Sequence, residues 1–132
     1  MKNIIPVSKL VGLAKSEITL MKVNDAIKKI NNDGYMFVDI RDIRELWRDG
    51  KIFDAYHAPR GMLEFWVDPK SRYFKDIFGI GKQLILYFAS GWRSALATKT
   101  LKEMGMKNVS SLEEGFTEWK NLCYLTQKIE KK

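Results

Sequence analysis

The chain has almost no cysteine or histidine: one of each, Cys123 and His57, among 132 residues. A single thiol rules out an internal disulfide, and the two side chains are too few for a Cys/His metal cluster. No metal ion is expected, and no motif in the chain calls for a cofactor. Proline is scarce, at three residues, and glycine stands at nine, so neither a low-complexity linker nor a disordered chain is indicated. Long apolar runs are missing too. The longest, from Leu84 to Ala89, covers six residues, against the roughly 20 that span a bilayer, so no membrane partner is expected. Lys9 and Lys15 interrupt the apolar stretch near the N-terminus and no small-residue cleavage site follows, which speaks against a signal peptide and for a cytoplasmic location. Negative charge is in deficit, since 16 acidic residues face 23 basic ones and leave a net charge of +7. That balance attracts a small anion or an acidic protein partner. Nucleic acid is not expected, because the basic residues alternate with Asp and Glu and form no Arg/Lys stripe. Monomer and homodimer both remain open.

What is present fits one domain over residues 1–132, with a single core. Apolar positions Val7, Leu10, Val11, Ala14 and Ile18 recur at helical spacing and predict an amphipathic N-terminal helix within residues 1–18, laid on the body of the domain. An extended piece, Thr19 to Lys22, follows. Asn24 or Asp25 is placed to cap a second helix ending in the turn 31–34. Tyr35 to Ile40 reads as a strand, and Arg41 to Arg48 as a helix with Ile43, Leu46 and Trp47 inward. A short strand within Ile52 to Ala58 leads into a long aromatic connection, Arg60 to Gly81, holding one or two short helices. Leu84 to Tyr87 is a central strand, Ser94 to Met104 a helix stopped by Gly105, and Val109 to Leu112 a further strand. The last helix is expected from Phe116 to Ile129, with Cys123 as a packed small hydrophobe on its apolar stripe. Strands alternating with helices point to an α/β sandwich around a parallel sheet, with ligands beyond the carboxyl ends of the strands.

One such end carries the candidate site. After the strand comes a six-residue loop, Phe88 to Arg93, and then a helix starting near Ser94. In this layout successive amides of Phe88, Ala89, Ser90, Gly91, Trp92 and Arg93, together with the positive end of the helix dipole, form a cradle for an anion. A nucleophile is missing. Phe88 sits where a cysteine would gain most from that field, and a benzyl group cannot be ionised or persulfurated. Ser90 and Ser94 have no general base near them in sequence, and Ser94 is first of all a helix cap. Arg93 either clamps an oxyanion or fixes the loop through an ion pair with Asp39 or Glu45. Phe88 has two arrangements: exposed beside Trp92 as an apolar knob, or folded in, which gains about 1.5–3 kcal/mol and leaves no space for an anion.

Three segments make the chain resemble the single-domain rhodaneses. Phe37-Val38-Asp39-Ile40-Arg41, followed by Glu45, is similar to the family's first VDVR…E strand and turn. Phe88-Ala89-Ser90-Gly91-Trp92-Arg93-Ser94 resembles its C-x-x-G-x-R-S active loop, and Gly115-Phe116 with Trp119 its GG-F-x-x-W signature. The stretch His57 to Trp66 resembles a bacterial subgroup with an aromatic insertion before the active-loop strand. This resemblance implies a rhodanese-like three-layer sandwich, a central mainly parallel sheet flanked by helices, and sulfurtransferase ancestry without a cofactor. Its implied site is the loop Phe88 to Ser94 with Asp39, Arg41 and Glu45 behind it. In active relatives the first loop residue is a cysteine that carries sulfane sulfur as a persulfide, and here that place holds Phe88. A catalytically silent module that binds a thiosulfate-like anion or a protein partner is therefore expected. The alternative is an active thiosulfate-type sulfurtransferase, if Phe88 is not the natural residue or if Cys123 carries the sulfur. Related phosphatases use a loop one residue longer.

Overall fold

A computed structural model of the chain describes residues 3–122 and 124–131. Five strands form the main sheet: β1 (Leu20–Met21), β2 (Tyr35–Asp39), β4 (Tyr56–His57), β5 (Gln83–Tyr87) and β6 (Val109–Leu112). Their order is β1-β6-β5-β2-β4, every neighbouring pair is parallel, and β5 is central. Side chains alternate across it as a pleated strand requires. Met36, Val38, Leu84 and Leu86 enter one core with Leu63, Val67, Ala97 and Leu101. Phe37, Ile85 and Tyr87 enter the other with Val23, Ala26, Phe116 and Trp119. The first core is covered by α4 (Leu63–Val67) and α5 (Gly91–Glu103), the second by α2 (Val23–Ala26) and α6 (Gly115–Asn121). The expected layered α/β sandwich is what forms. Outside α5 lies α1 (Val7–Glu17), with Val11 and Ala14 buried.

Helix ends depart from the sequence expectations, each for a tertiary reason. Neither Asn24 nor Asp25 caps α2; both lie inside it, and its first amide, Val23 N–H, donates to Glu114 Oε1 at 2.9 Å from across the chain. The third helix, α3 (Ile43–Asp49), begins two residues later than expected because Asp42 caps it, accepting from Arg44 N at 2.9 Å. Arg41 is thereby freed from the helix and turns into the interior. The last helix does not run to Ile129. It stops at Asn121, and the tail continues as β7 (Thr126–Gln127), antiparallel to β3 (Lys51–Ile52). Trp119 Nε1 donates to the Leu125 carbonyl at 2.8 Å and Phe53 N to the same oxygen at 3.2 Å, so the tail exchanges helical hydrogen bonds for cross-chain ones. The expected position of Cys123 lies outside the described residues.

Hydrogen bonds from the Arg44 side chain and backbone hold the Asp42 carboxyl at about 2, below its ordinary 3.8. A depressed carboxyl stabilises fully above its unfolded value and loses that contribution as pH falls through the folded one. The urea midpoint of the protein should therefore exceed that of Asp42→Ala by a constant margin above about pH 4, and the margin should shrink between about pH 4 and pH 2.

Candidate functional site

At the carboxyl ends of β2 and β5 a charged pair is sealed inside the protein. Asp39 is 0% and Arg41 1% exposed. Arg41 Nη2 donates to Asp39 Oδ2 at 2.7 Å and Nε to Oδ1 at 3.0 Å, while Nη2 also reaches the Gly50 carbonyl at 2.7 Å. The guanidinium lies 4.2 Å from the centroid of the Phe116 ring, a favourable place for a desolvated cation. Burial works to lower the Arg41 pKa, yet the hydrogen bonds and charge of Asp39 leave it raised. Burial, reinforced by the Asp39 charge, pushes the Tyr87 hydroxyl well above its ordinary value, so it stays neutral and accepts from Ile52 N at 3.0 Å. On the far side, His57 Nε2 is 2.7 Å from the Arg41 carbonyl and donates to it. Of the three residues expected behind the loop, Asp39 and Arg41 thus form one unit. Glu45 contacts neither through a hydrogen bond, and its Oε2 is buried without a partner.

The loop leaves β5 directly above this pair. Its Phe88 and Ala89 carbonyls accept from Phe116 N at 2.8 Å and Thr117 N at 3.1 Å, which ties it to the start of α6. Two glycines permit the approach. A Cβ on Gly91 would sit 2.0 Å from the Glu113 carbonyl oxygen, and one on Gly115, whose φ is +78°, would sit 2.6 Å from that of Ala89. Because Gly91 fits there, α5 starts at Gly91 and not near Ser94, with Ser90 as its extended N-cap. The irregular part of the loop shrinks to Phe88, Ala89 and Ser90. Ser94 caps nothing: its hydroxyl is buried, donates to the Gly91 carbonyl at 3.3 Å and accepts from Ser111 Oγ at 2.8 Å. The amides of Ser90, Gly91, Trp92 and Arg93 are those that an α-helix leaves without an intrahelical acceptor.

Phe88 takes neither expected arrangement in full: its ring is half-buried, packed against the edge of the first core and not folded into the loop as a core residue. Arg93 is exposed and rests its guanidinium 4.5 Å from the Phe88 ring centroid. The expected ion pair of Arg93 with Asp39 or Glu45 is absent among the described residues, because Arg41 already saturates Asp39. Trp92, 47% exposed, stands alone and forms no knob with Phe88. Sequence reasoning missed Gly50, Tyr87 and Phe116 as supports of Arg41. The only legible signal was the Gly115-Phe116 pair, since a carbonyl partner such as Gly50 leaves no trace in residue type.

A model of the rhodanese-like domain family matches residues 22–122. The chain belongs to that family. Among solved structures, this rhodanese-like domain is similar to a Rhodopseudomonas palustris protein of unknown function for which tyrosine phosphatase activity is suggested. The two are 41% identical, with a TM-score of 0.89 over 93% of this chain and 95% of that one. It is also similar to the polysulfide-sulfur transferase homodimer of Wolinella succinogenes, with 26% identity and a TM-score of 0.69 over 92% of this chain and 86% of that one. A Schizosaccharomyces pombe protein provisionally named a mitochondrial thiosulfate sulfurtransferase shares 27% identity over 104 residues, covering 74% of this chain and 72% of that protein.

Two predictions test how the rhodanese-like loop is held. Asp39→Asn leaves the buried Arg41 charge uncompensated and should cost about 3–5 kcal/mol in urea unfolding, whereas Asp39→Asn with Arg41→Met should cost less than the single change. Gly115→Ala forces both an uncommon backbone conformation and a clash with the loop, at about 1–3 kcal/mol. Gly12→Ala, where a Cβ meets nothing within 4 Å, should stabilise α1 slightly under the same measurement.

Proposed function

We propose that this rhodanese-like domain does not carry sulfur covalently at its loop and acts as a binding module for a small oxyanion of the thiosulfate class. The observation that carries this reading is Phe88, a hydrocarbon ring at the first loop position, seated on the core and covered by Arg93. Persulfide formation requires a thiolate to attack the outer sulfur of thiosulfate and expel sulfite, and Phe88 offers no such atom. A covalent phosphatase route, raised by the name of the Rhodopseudomonas palustris relative, needs a nucleophile in the same place and lacks it equally. What remains is a set of positive groups: the unpaired amides at the start of α5, the exposed Arg93 guanidinium and an overall charge of +7. We read residues 1–132 as one domain with α1 as an N-terminal addition to it. An acidic protein surface is the alternative ligand for the same groups, with the exposed Trp92 ring as its apolar contact.

Sulfurtransferase names among the relatives favour one rival, an active enzyme, in which either Phe88 is not the natural residue or Cys123 carries the sulfur. A thiosulfate-to-cyanide assay separates the two. The unmodified protein should form no thiocyanate. Phe88→Cys should gain transfer, because the supporting loop, Arg93 and the Asp39–Arg41 pair are in place. Transfer by the unmodified protein that disappears with Cys123→Ser would overturn the proposal. Thiosulfate should in addition shift the Gly91 and Trp92 amide resonances of the unmodified protein, and Arg93→Ala should weaken that binding about tenfold.

A further inference from the structure

The apolar arc of α1 is wider than the protein covers. With successive side chains about 100° apart around the helix axis, Leu13, Leu10, Ala14, Val7 and Val11 together span an arc of about 160°. Val11 and Ala14 are buried against α5. Val7, Leu10 and Leu13, together with Ile4 and Ile5 just before the helix, are between 40% and 63% exposed. Glu17, the last residue of α1, is held near the end of α5: its carboxylate pairs with Lys99 at 3.4 Å and its carbonyl accepts from Lys102 Nζ. Because Val11 and Ala14 pack on α5 as well, the two helices run in the same direction. At about 1.5 Å per residue the exposed strip then lies level with the first turns of α5, where Trp92 is also exposed. From Asn3 to Ser16 the chain carries Lys9 and Lys15 and no acidic residue. Lys9 is the helical neighbour of Leu13, four positions on. Among the described residues nothing covers this strip of aliphatic groups on the outermost helix.

We propose that α1 anchors the domain to the surface of an anionic bilayer, with Ile4, Ile5, Val7, Leu10 and Leu13 at the acyl-chain boundary and Lys9 beside them against the lipid phosphates. Exposed aliphatic groups next to lysine, without acids, are the composition that such a surface selects. The net charge of +7 adds to the attraction, and an indole such as that of Trp92 prefers the same depth. A second copy of the chain would set these cations against themselves. A protein partner takes about 800 Å² of contact from each side and about one hydrogen bond per 100–200 Å². This strip offers five aliphatic side chains, with Ser8, Lys9 and Ser16 as the exposed polar groups of its helix. A bilayer requires neither the area nor the directed bonds. Run length excludes a spanning segment and is silent on a helix lying flat. The expectation of no membrane partner is therefore revised by burial, which leaves half of the apolar arc in water. The proposal rests on none of the chemistry of the Phe88 loop.

The test is co-sedimentation of the full chain with vesicles of phosphatidylcholine alone and of phosphatidylcholine with about one-third phosphatidylglycerol, an anionic lipid. Binding to the mixed vesicles should be at least about tenfold stronger, and about 1 M salt should remove the difference. Leu10→Ser with Leu13→Ser should weaken it at least about tenfold, and Lys9→Glu about tenfold. Both leucines are exposed, so the urea midpoint of the double variant should match that of the unmodified protein. Ile80→Ser, which removes an equally exposed aliphatic group ahead of β5, should change nothing. Absence of binding to the mixed vesicles would leave the strip to a protein partner and overturn the proposal. Equal binding to the neutral vesicles, or indifference to the leucine pair, would overturn it too. So would a dimer in solution that Leu10→Ser with Leu13→Ser splits, which would assign the strip to a second copy. Each of these outcomes is independent of the thiosulfate experiments.

Discussion

A guanidinium removed from water must recover nearly all of its lost hydration from the protein, or the fold does not tolerate it. Arg41 meets that demand with the Asp39 carboxylate, the Gly50 carbonyl and the face of Phe116. Each partner belongs to a different element: the end of β2, the turn after α3, and the first residues of α6. Satisfying one side chain therefore fixes the mutual position of three elements. Asp39 is also in register with Tyr87 across the β2–β5 ladder, and Tyr87 immediately precedes the loop. The loop geometry is thus set from beneath by an ion pair that no solvent reaches, and from the side by backbone contacts that only glycine at 91 and 115 permits.

This scaffold explains how a rhodanese-like chain holds the loop after β5 in place with a phenyl ring at its first position. The hydrogen bonds that tie the loop to α6 use the backbone of Phe88 and Ala89 and not the Phe88 side chain. Its carbonyl, which any residue would supply, is what Phe116 N binds. The ring is accommodated because the first core lies directly behind it and Arg93 covers its outer face. Exchange of the side chain alters the chemistry available at the loop far more than it alters the fold, and the two are separable for that reason.

Periodicity made the layered architecture legible. Tyr35 to Ile40 and Leu84 to Tyr87 are apolar runs of strand length, so both strands could be placed from residue order, whereas which alternate residues enter which core is set by the pleat of the folded sheet. The helix ends did not follow. The expected start of α5 at Ser94 rested on its capping hydroxyl, but the backbone at Gly91 nests against Glu113, and the helix begins three residues earlier. The tail Leu122 to Ile129 has a helical stripe, yet β3 offers unpaired backbone groups and Trp119 a donor, and those long-range bonds win. Of the two uses open to Arg93, an oxyanion clamp or an ion pair with Asp39 or Glu45, the pair with Asp39 is closed because Arg41 already occupies that carboxylate.

Residue types and their spacing by themselves determined the class of fold, the position of the loop after β5 and the phenylalanine at its head, because each depends on local pattern or on the chemistry of one side chain. Tertiary structure alone decided which charges pair, where helices begin and end, and that Phe88 lies half-buried beneath Arg93. Those outcomes depend on what the chain brings together from distant positions, and backbone groups such as the Gly50 and Glu113 carbonyls take part in them without any signature in the sequence.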